Sequence, residues 1–143
     1  MTALSSETVH ASAVSIDGHA ILISGRPGSG KSDLALRLMD RGAMLVSDDY
    51  TIVTRQDGHL VASPPETIRG RIEVRGIGLI TKPHESGVPV ALVIDIDEPV
   101  PRMPEPGGTR LIADIEVPLF ALAPFEASAP IKVELLLKSL ISA

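Results

Sequence analysis

The sequence predicts an α/β domain built around a phosphate-gripping loop, with a sheet whose strands run in both directions. Three observations carry this. An apolar run, Ala20–Ser24, leads into the glycine-rich octapeptide Gly25-Arg26-Pro27-Gly28-Ser29-Gly30-Lys31-Ser32, and a stretch of helix formers follows. Two Asp-Gly pairs, Asp17-Gly18 and Asp57-Gly58, sit between apolar stretches, a hairpin signal that sets adjacent strands antiparallel. Aromatic residues are only 2% of the 143 residues while hydrophobic residues are 44%. The core must therefore be Val, Ile, Leu and Ala, the composition of strands covered on both faces.

Along the chain, Val9–Ile16 alternates loosely and is read as a strand that contains His10 and turns at Asp17-Gly18. Ala20–Ser24 is its buried neighbour. The helix predicted over Asp33–Asp40 puts Leu34, Ala35 and Leu38 on one face, and Gly42 stops it. Met44–Ser47 is a short buried strand that ends in Asp48-Asp49. Tyr50–Arg55 and His59–Ala62 form the second hairpin, which Ser63-Pro64-Pro65 breaks. Thr67–Gly78 is rich in charge and glycine and reads as a mobile or functional loop. Val88–Asp95 is the strongest core strand. Pro99–Gly108, with four prolines and two glycines, reads as an irregular surface segment. Ile115–Ala123 is a further strand region with Pro118 at an edge or start. Ile131–Leu140 is a closing helix whose apolar residues are Ile131, Leu135, Leu136 and Leu140. Residues 1–143 are read as one domain.

Composition narrows the function. A net charge of −5 argues against a nucleic-acid partner, which needs a basic stripe. There is no cysteine, hence no disulfide framework and no thiolate chemistry. Met1–Glu7 lacks a basic segment followed by an apolar one. No apolar run reaches membrane-spanning length. The expected compartment is the cytoplasm, with no membrane partner.

The octapeptide is a complete Walker A loop, a pattern that arises by chance in roughly 1 in 300 chains of this size. Its glycines let the backbone curl so that several N–H groups of Gly25–Ser32 aim at one anion. Lys31 can reach the β- and γ-phosphates of a nucleotide, and the Ser32 hydroxyl can take a position on Mg²⁺. The N-terminus of the following helix adds positive partial charge. Such a loop needs an acid at a strand end to hold the metal, and Asp48-Asp49 supplies one acid with a second beside it as a candidate general base. Pro65–Gly78 packs Arg69, Arg71 and Arg75 with Glu66 and Glu73 among glycines. Arginines can neutralise a transferring phosphoryl group, although a solvated charged loop has the same composition. On its residue type alone His10 is a half-buried structural histidine.

Together these segments resemble the HPr kinase/phosphorylase family. The carriers are His10, Gly25–Ser32, Arg41-Gly42-Ala43-Met44-Leu45-Val46-Ser47-Asp48-Asp49, and Ile72-Glu73-Val74-Arg75-Gly76-Ile77-Gly78, which is similar to the family's Glu-Ile-Arg-Gly signature. The resemblance runs from about Val9 to Ile80. It implies a compact mixed-sheet fold like that of phosphoenolpyruvate carboxykinase. It also implies ATP-dependent phosphorylation of a serine on HPr, the small phosphocarrier of the sugar phosphotransferase system, or on an HPr-like protein. By the same resemblance, Lys31 binds the phosphates and Ser32 the metal. Asp49, with Asp48, takes the serine proton and returns it in the reverse reaction. Glu73 helps hold Mg²⁺, Arg75 belongs to the catalytic loop, and His10 lies near the phosphates. Arg102, before Met103-Pro104, aligns loosely with a later family arginine.

The chain departs from the family in places. It looks like the catalytic half alone, without the regulatory N-terminal domain. Pro27 and Asp33 stand where the family usually has Ser and Glu, and Ala11 where it has Gly. Leu122–Ile131 carries no recognisable Pro-Gly-Arg-Asn segment, the part linked to phosphorylase activity, which leaves that activity open. A homo-oligomer, a hexamer in the family, is the expected assembly. Two other classes stay open on the residues. One is a P-loop kinase of a small molecule, for which 143 residues leave little room for a lid. The other is a nucleotide-sensing module without turnover. The choice between ATP and pyrophosphate as donor is also open.

Overall fold

A computed structural model of the chain describes residues 5–103 and 108–142. The first hairpin joins β2 (Ala11–Ile16) to β3 (His19–Ser24) through Asp17 and Gly18, with φ of 50° and 78°. Both turn residues are left-handed, as a two-residue turn matched to strand twist requires. β3 runs into the glycine loop, and α1 (Lys31–Asp40) follows. The end of α1 is set by Gly42 at φ 108°: its N–H bonds Met39 O, and that of Ala43 bonds Leu38 O. This closes the last turn in the pattern glycine favours.

β4 (Met44–Ser47) lies antiparallel to β2, on the side away from β3. The second hairpin is β5 (Thr51–Gln56) and β6 (His59–Ser63). β9 (Val88–Asp95) is the hub. It runs parallel to β3, pairing Val90–Asp95 with Ala20–Ser24. Its opposite edge is shared, with β6 antiparallel at Val88 and Pro89, and β11 (Ile115–Ala121) parallel at Val93–Asp95. Because two neighbours divide that edge, the sheet curls.

Curling covers both faces of β3. Ile21 and Ile23 point into one cluster with Leu34, Leu38, Leu92, Ile94, Val133 and Leu137, where α1 and α2 (Ala129–Ile141) pack. Ala20 and Leu22 point into the other, with Val46, Val53, Ala62 and Val117. This is why the strand reads as a continuous apolar run and not as an alternation. Truncating fully buried Ile21 or Ile23 to Ala should cost about 2–5 kcal/mol. Arg41 at the end of α1 ties to Glu134 of α2 at 2.7 Å, and this bond raises the Arg41 guanidinium pKa. The mixed α/β architecture expected from the sequence is the one observed.

Several elements differ from the sequence reading. Val9–Ile16 is two strands, since β1 (Ser6–Val9) leaves β2 and pairs with β5. His10 lies at the break, not within a strand. Thr67–Gly78 is ordered: a short 3₁₀ turn, Glu66–Ile68, precedes a hairpin of β7 (Arg71–Val74) and β8 (Gly78–Thr81). β10 (Thr109–Ile112), unforeseen, pairs antiparallel with β11, and Pro118 sits inside β11 just before its pairing with β9 begins. In α2 the buried residues are Ala129, Pro130, Val133 and Leu137, while Ile131 and Leu135 are exposed. The helix is apolar on most sides, so its sequence does not say which face turns inward. Of the irregular segment Pro99–Gly108, residues 104–107 lie outside the described part, as do Met1–Leu4.

Candidate active site

The loop Gly25–Ser32 stands at the carboxyl end of β3, and Gly30, with φ 107°, is the N-cap of α1. Gly25 has no room for a side chain, because a Cβ there would lie 2.5 Å from Ser29 Oγ. Ser29 Oγ is buried without a hydrogen-bond partner among the described residues. The Arg26 N–H donates to Asp97 Oδ2 at 2.5 Å, which fixes the start of the loop to the segment after β9. Lys31 is 5% exposed, and its Nζ donates to Gly25 O at 2.9 Å and Arg26 O at 3.1 Å.

The paired acids at the end of β4 face different ways. Asp48 is buried. Its Oδ1 accepts from Ser32 Oγ at 2.5 Å and from Ser12 Oγ at 3.1 Å, and its Oδ2 accepts from the Glu73 N–H at 3.0 Å. Asp49 adopts φ 67°, which turns its side chain out of the strand line toward the loop. Its Oδ1 lies 2.8 Å from His10 Nε2 and 3.7 Å from Lys31 Nζ. The Ser12 hydroxyl also accepts from the Asp49 N–H at 3.0 Å, so one serine braces both acids. The His10 ring stacks on Tyr50, centroids 4.9 Å apart and planes 16° apart.

An open groove of about 870 Å³ runs between the loop and the β7–β8 hairpin. Pro27, Gly28, Gly30, Lys31 and Ser32 line one side, and Glu73, Arg75 and Gly76 the other. Asp48 and Asp49 form its floor. The site residues read from the sequence are therefore brought together from four places: the β1–β2 break, the loop, the end of β4 and the hairpin. Arg102 is the exception. It is exposed and lines a second groove with Lys132 and Leu135, while Pro104 lies outside the described residues.

The donors fit Mg²⁺. A hydroxyl and a carboxylate oxygen converge at Ser32 and Asp48, and Mg²⁺ is usually held by one or two carboxylates completed by phosphates and water. No group of three or more His, Asp or Glu side chains able to hold a metal occurs among the described residues. Asp48 and Ser32 would hold the ion, with Glu73 placed beside them by its own N–H bond to Asp48.

Sequence reasoning missed Ser12, whose only signal is its inward position two residues after His10. It also missed Asp95, which pairs in register with Ser24 at the base of the loop. Asp95 Oδ2 is 3.1 Å from Arg110 Nη2, and Arg110 Nη1 donates to Ser24 Oγ at 2.8 Å. An acid ending the strongest strand was a legible signal. Its arginine, on the unforeseen β10, was not.

A model of the HPr serine kinase C-terminal domain matches residues 2–89. The HPr kinase/phosphorylase of Xylella fastidiosa (strain M12) is 36% identical over 131 residues, 80% of this chain and 42% of that protein. The one from Clostridium botulinum (strain Eklund 17B / Type B) is 45% identical over 72 residues, 50% of this chain and 24% of that protein. The solved structure of the Hpr(Ser) kinase/phosphatase from Coxiella burnetii superposes with a TM-score of 0.78 at 31% identity, covering 93% of this chain and 89% of that one. The chain spans less than half the length of these two curated relatives. No helix among the described residues is long and apolar enough to cross a membrane.

Proposed function

Because this chain belongs to the HPr serine kinase C-terminal domain family, we propose that it transfers the γ-phosphoryl group of ATP to a serine of HPr or an HPr-like phosphocarrier. The observation that carries the reading is the setting of Asp49. Its carboxylate stands at the floor of the Walker groove, 2.8 Å from His10 Nε2 and 3.7 Å from Lys31 Nζ, half exposed where a partner's hydroxyl can approach.

The loop N–H groups and the N-terminus of α1 hold the triphosphate. Lys31 exchanges its bonds to Gly25 O and Arg26 O for phosphate oxygens. The serine Oγ forms a bond to phosphorus as the bond from phosphorus to the β–γ bridging oxygen breaks, and ADP leaves. Asp49 accepts the hydroxyl proton, and His10 orients the accepting carboxylate. Arg75 approaches from the hairpin and offsets charge on the transferring group. Ser32 and Asp48 would hold Mg²⁺, which would supply charge neutralisation for the phosphates. For the phosphorylase reaction that the sequence leaves open, an oxygen of inorganic phosphate would form a bond to the phosphoserine phosphorus as the bond from phosphorus to the serine Oγ breaks, Asp49 would pass the attacking phosphate's proton to that Oγ, and pyrophosphate would leave. The exposed Ile131 and Leu135 on α2 fit a homo-oligomer, the assembly the family resemblance implies.

The test is incubation of the purified chain with radiolabelled Mg-ATP and the same organism's HPr-like protein, followed by acid treatment and mass spectrometry. Acid-stable label on a serine is the expected result. ATP bound without any transfer would replace this reading with a nucleotide sensor.

A further inference from the structure

We infer that Phe125 is a stacking platform for the nucleobase of the donor, so that the groove is built for a nucleotide and not for inorganic polyphosphate alone. This rests on the proposed triphosphate site and adds a second anchor to it.

The chain has only two Phe and one Tyr. Phe120 packs against the core, and Tyr50 stacks on His10. Phe125 instead stands 71% exposed at the rim of the Walker groove. Solvent exposure of so large an apolar ring gives the fold little hydrophobic stabilisation, yet its position is fixed from both sides. Arg37 of α1 donates through Nη2 to Pro124 O and through Nη1 to Glu126 O, the latter at 3.3 Å. Arg37 is itself held by Asp33 at 3.0 Å. Glu126 is further tied to the start of α2: its carbonyl accepts from the Ala129 N–H at 3.0 Å, and its carboxylate is 3.2 Å from Lys132 Nζ. The two neighbours of Phe125 are thus clamped to the helix whose N-terminus faces the phosphates.

The ring tip rests on Gly30. A Cβ at residue 30 would lie 2.9 Å from Phe125 Cζ, so glycine is needed there both for its φ of 107° and for this contact. The rest of the ring is exposed, and Phe125 lines the groove together with Asp33 and Leu36. An aromatic ring whose backbone is anchored beside a phosphate loop offers a nucleobase a stacking surface at reduced entropic cost.

The experiment measures the affinities of Mg-ATP and Mg-tripolyphosphate by calorimetry for the wild-type chain, Phe125→Ala and Phe125→Trp, with thermal melts as the control for folding. Stacking lost to alanine typically costs about tenfold or more in affinity. The expected result is therefore roughly tenfold weaker ATP binding by Phe125→Ala, tripolyphosphate affinity unchanged within about twofold, and ATP affinity retained by Phe125→Trp. Equal weakening of both ligands would overturn the inference, because the ring would then act only through the loop. Unchanged ATP affinity with weaker use of the protein substrate would also overturn it and make Phe125 a docking residue. A wild-type chain that binds neither ligand would overturn the triphosphate site itself.

Discussion

The two walls of the Walker groove are built in opposite ways. The strand-end wall is sunk into the sheet: Asp48 is 8% exposed, Lys31 is 5% exposed, and Ser12 is fully buried. Its groups are cross-linked, Asp48 alone accepting three hydrogen bonds. The hairpin wall joins the core by one face only, through Ile72 with Val74 and Ile80 packed beside it. Ile72 is the one buried residue of β7 and β8, while Ile77 and Leu79 are exposed. The Arg75 side chain makes no hydrogen bond or ion pair with the described residues. Groups that must keep their place whatever is bound are set on strands, and groups that must reach a ligand are set on an element with few contacts to lose.

That contrast can be broken by substitution. The largest expected effect is on transfer by Lys31→Ala and Asp49→Ala, each falling by about 10³-fold or more. Initial rates of serine labelling measure this. Asp48→Ala should separate the paired acids by stability. It leaves Ser12, Ser32 and the Glu73 N–H without their acceptor, and should lower unfolding free energy by about 2–3 kcal/mol in urea titration. Asp49→Ala, at a half-exposed position, should change it by under about 1 kcal/mol. On the other wall, Arg75→Ala should slow transfer by roughly 10–100-fold while leaving the urea midpoint nearly unmoved. A marked loss of stability there would mean that the Arg75 side chain helps hold the hairpin in place. The smallest effect is expected from His10→Gln, which keeps a polar contact to Asp49 but not the ring stacked on Tyr50. Transfer should fall by about tenfold or less, read as kcat with little change in ATP affinity.

The same contrast explains what could be read from the sequence. The strand-end wall is made of local signals. Asp17-Gly18 and Asp57-Gly58 hold their left-handed turns with no help from elsewhere, Gly42 ends α1 through its own backbone bonds, and the loop Gly25–Ser32 carries its function in its spacing. The acids at 48 and 49 follow a recognisable strand. What the sequence hides depends on partners distant along the chain. The split of β1 from β2 at His10 exists because β5 captures one half while β3 and β4 capture the other. Ser12 acquires its role only when Asp48 and Asp49 arrive beside it. Arg71-Ile72-Glu73-Val74 alternates well enough to be a strand, but glycines and charge on either side mask it. β10 follows a proline-rich segment and is defined by its pairing with β11. Arg110 therefore gave no hint that it would reach Ser24 and Asp95.

In the proposed site adjacent acids divide the work, Asp48 building the metal position and Asp49 handling the proton. Mg-ATP affinity and serine transfer, measured side by side in Asp48→Asn and Asp49→Asn, separate the two roles. Asp49→Asn should bind Mg-ATP within about twofold of wild type yet lose transfer by about 10³-fold, whereas Asp48→Asn should lose affinity as well. Transfer retained by Asp49→Asn, with its fold intact, would contradict this division.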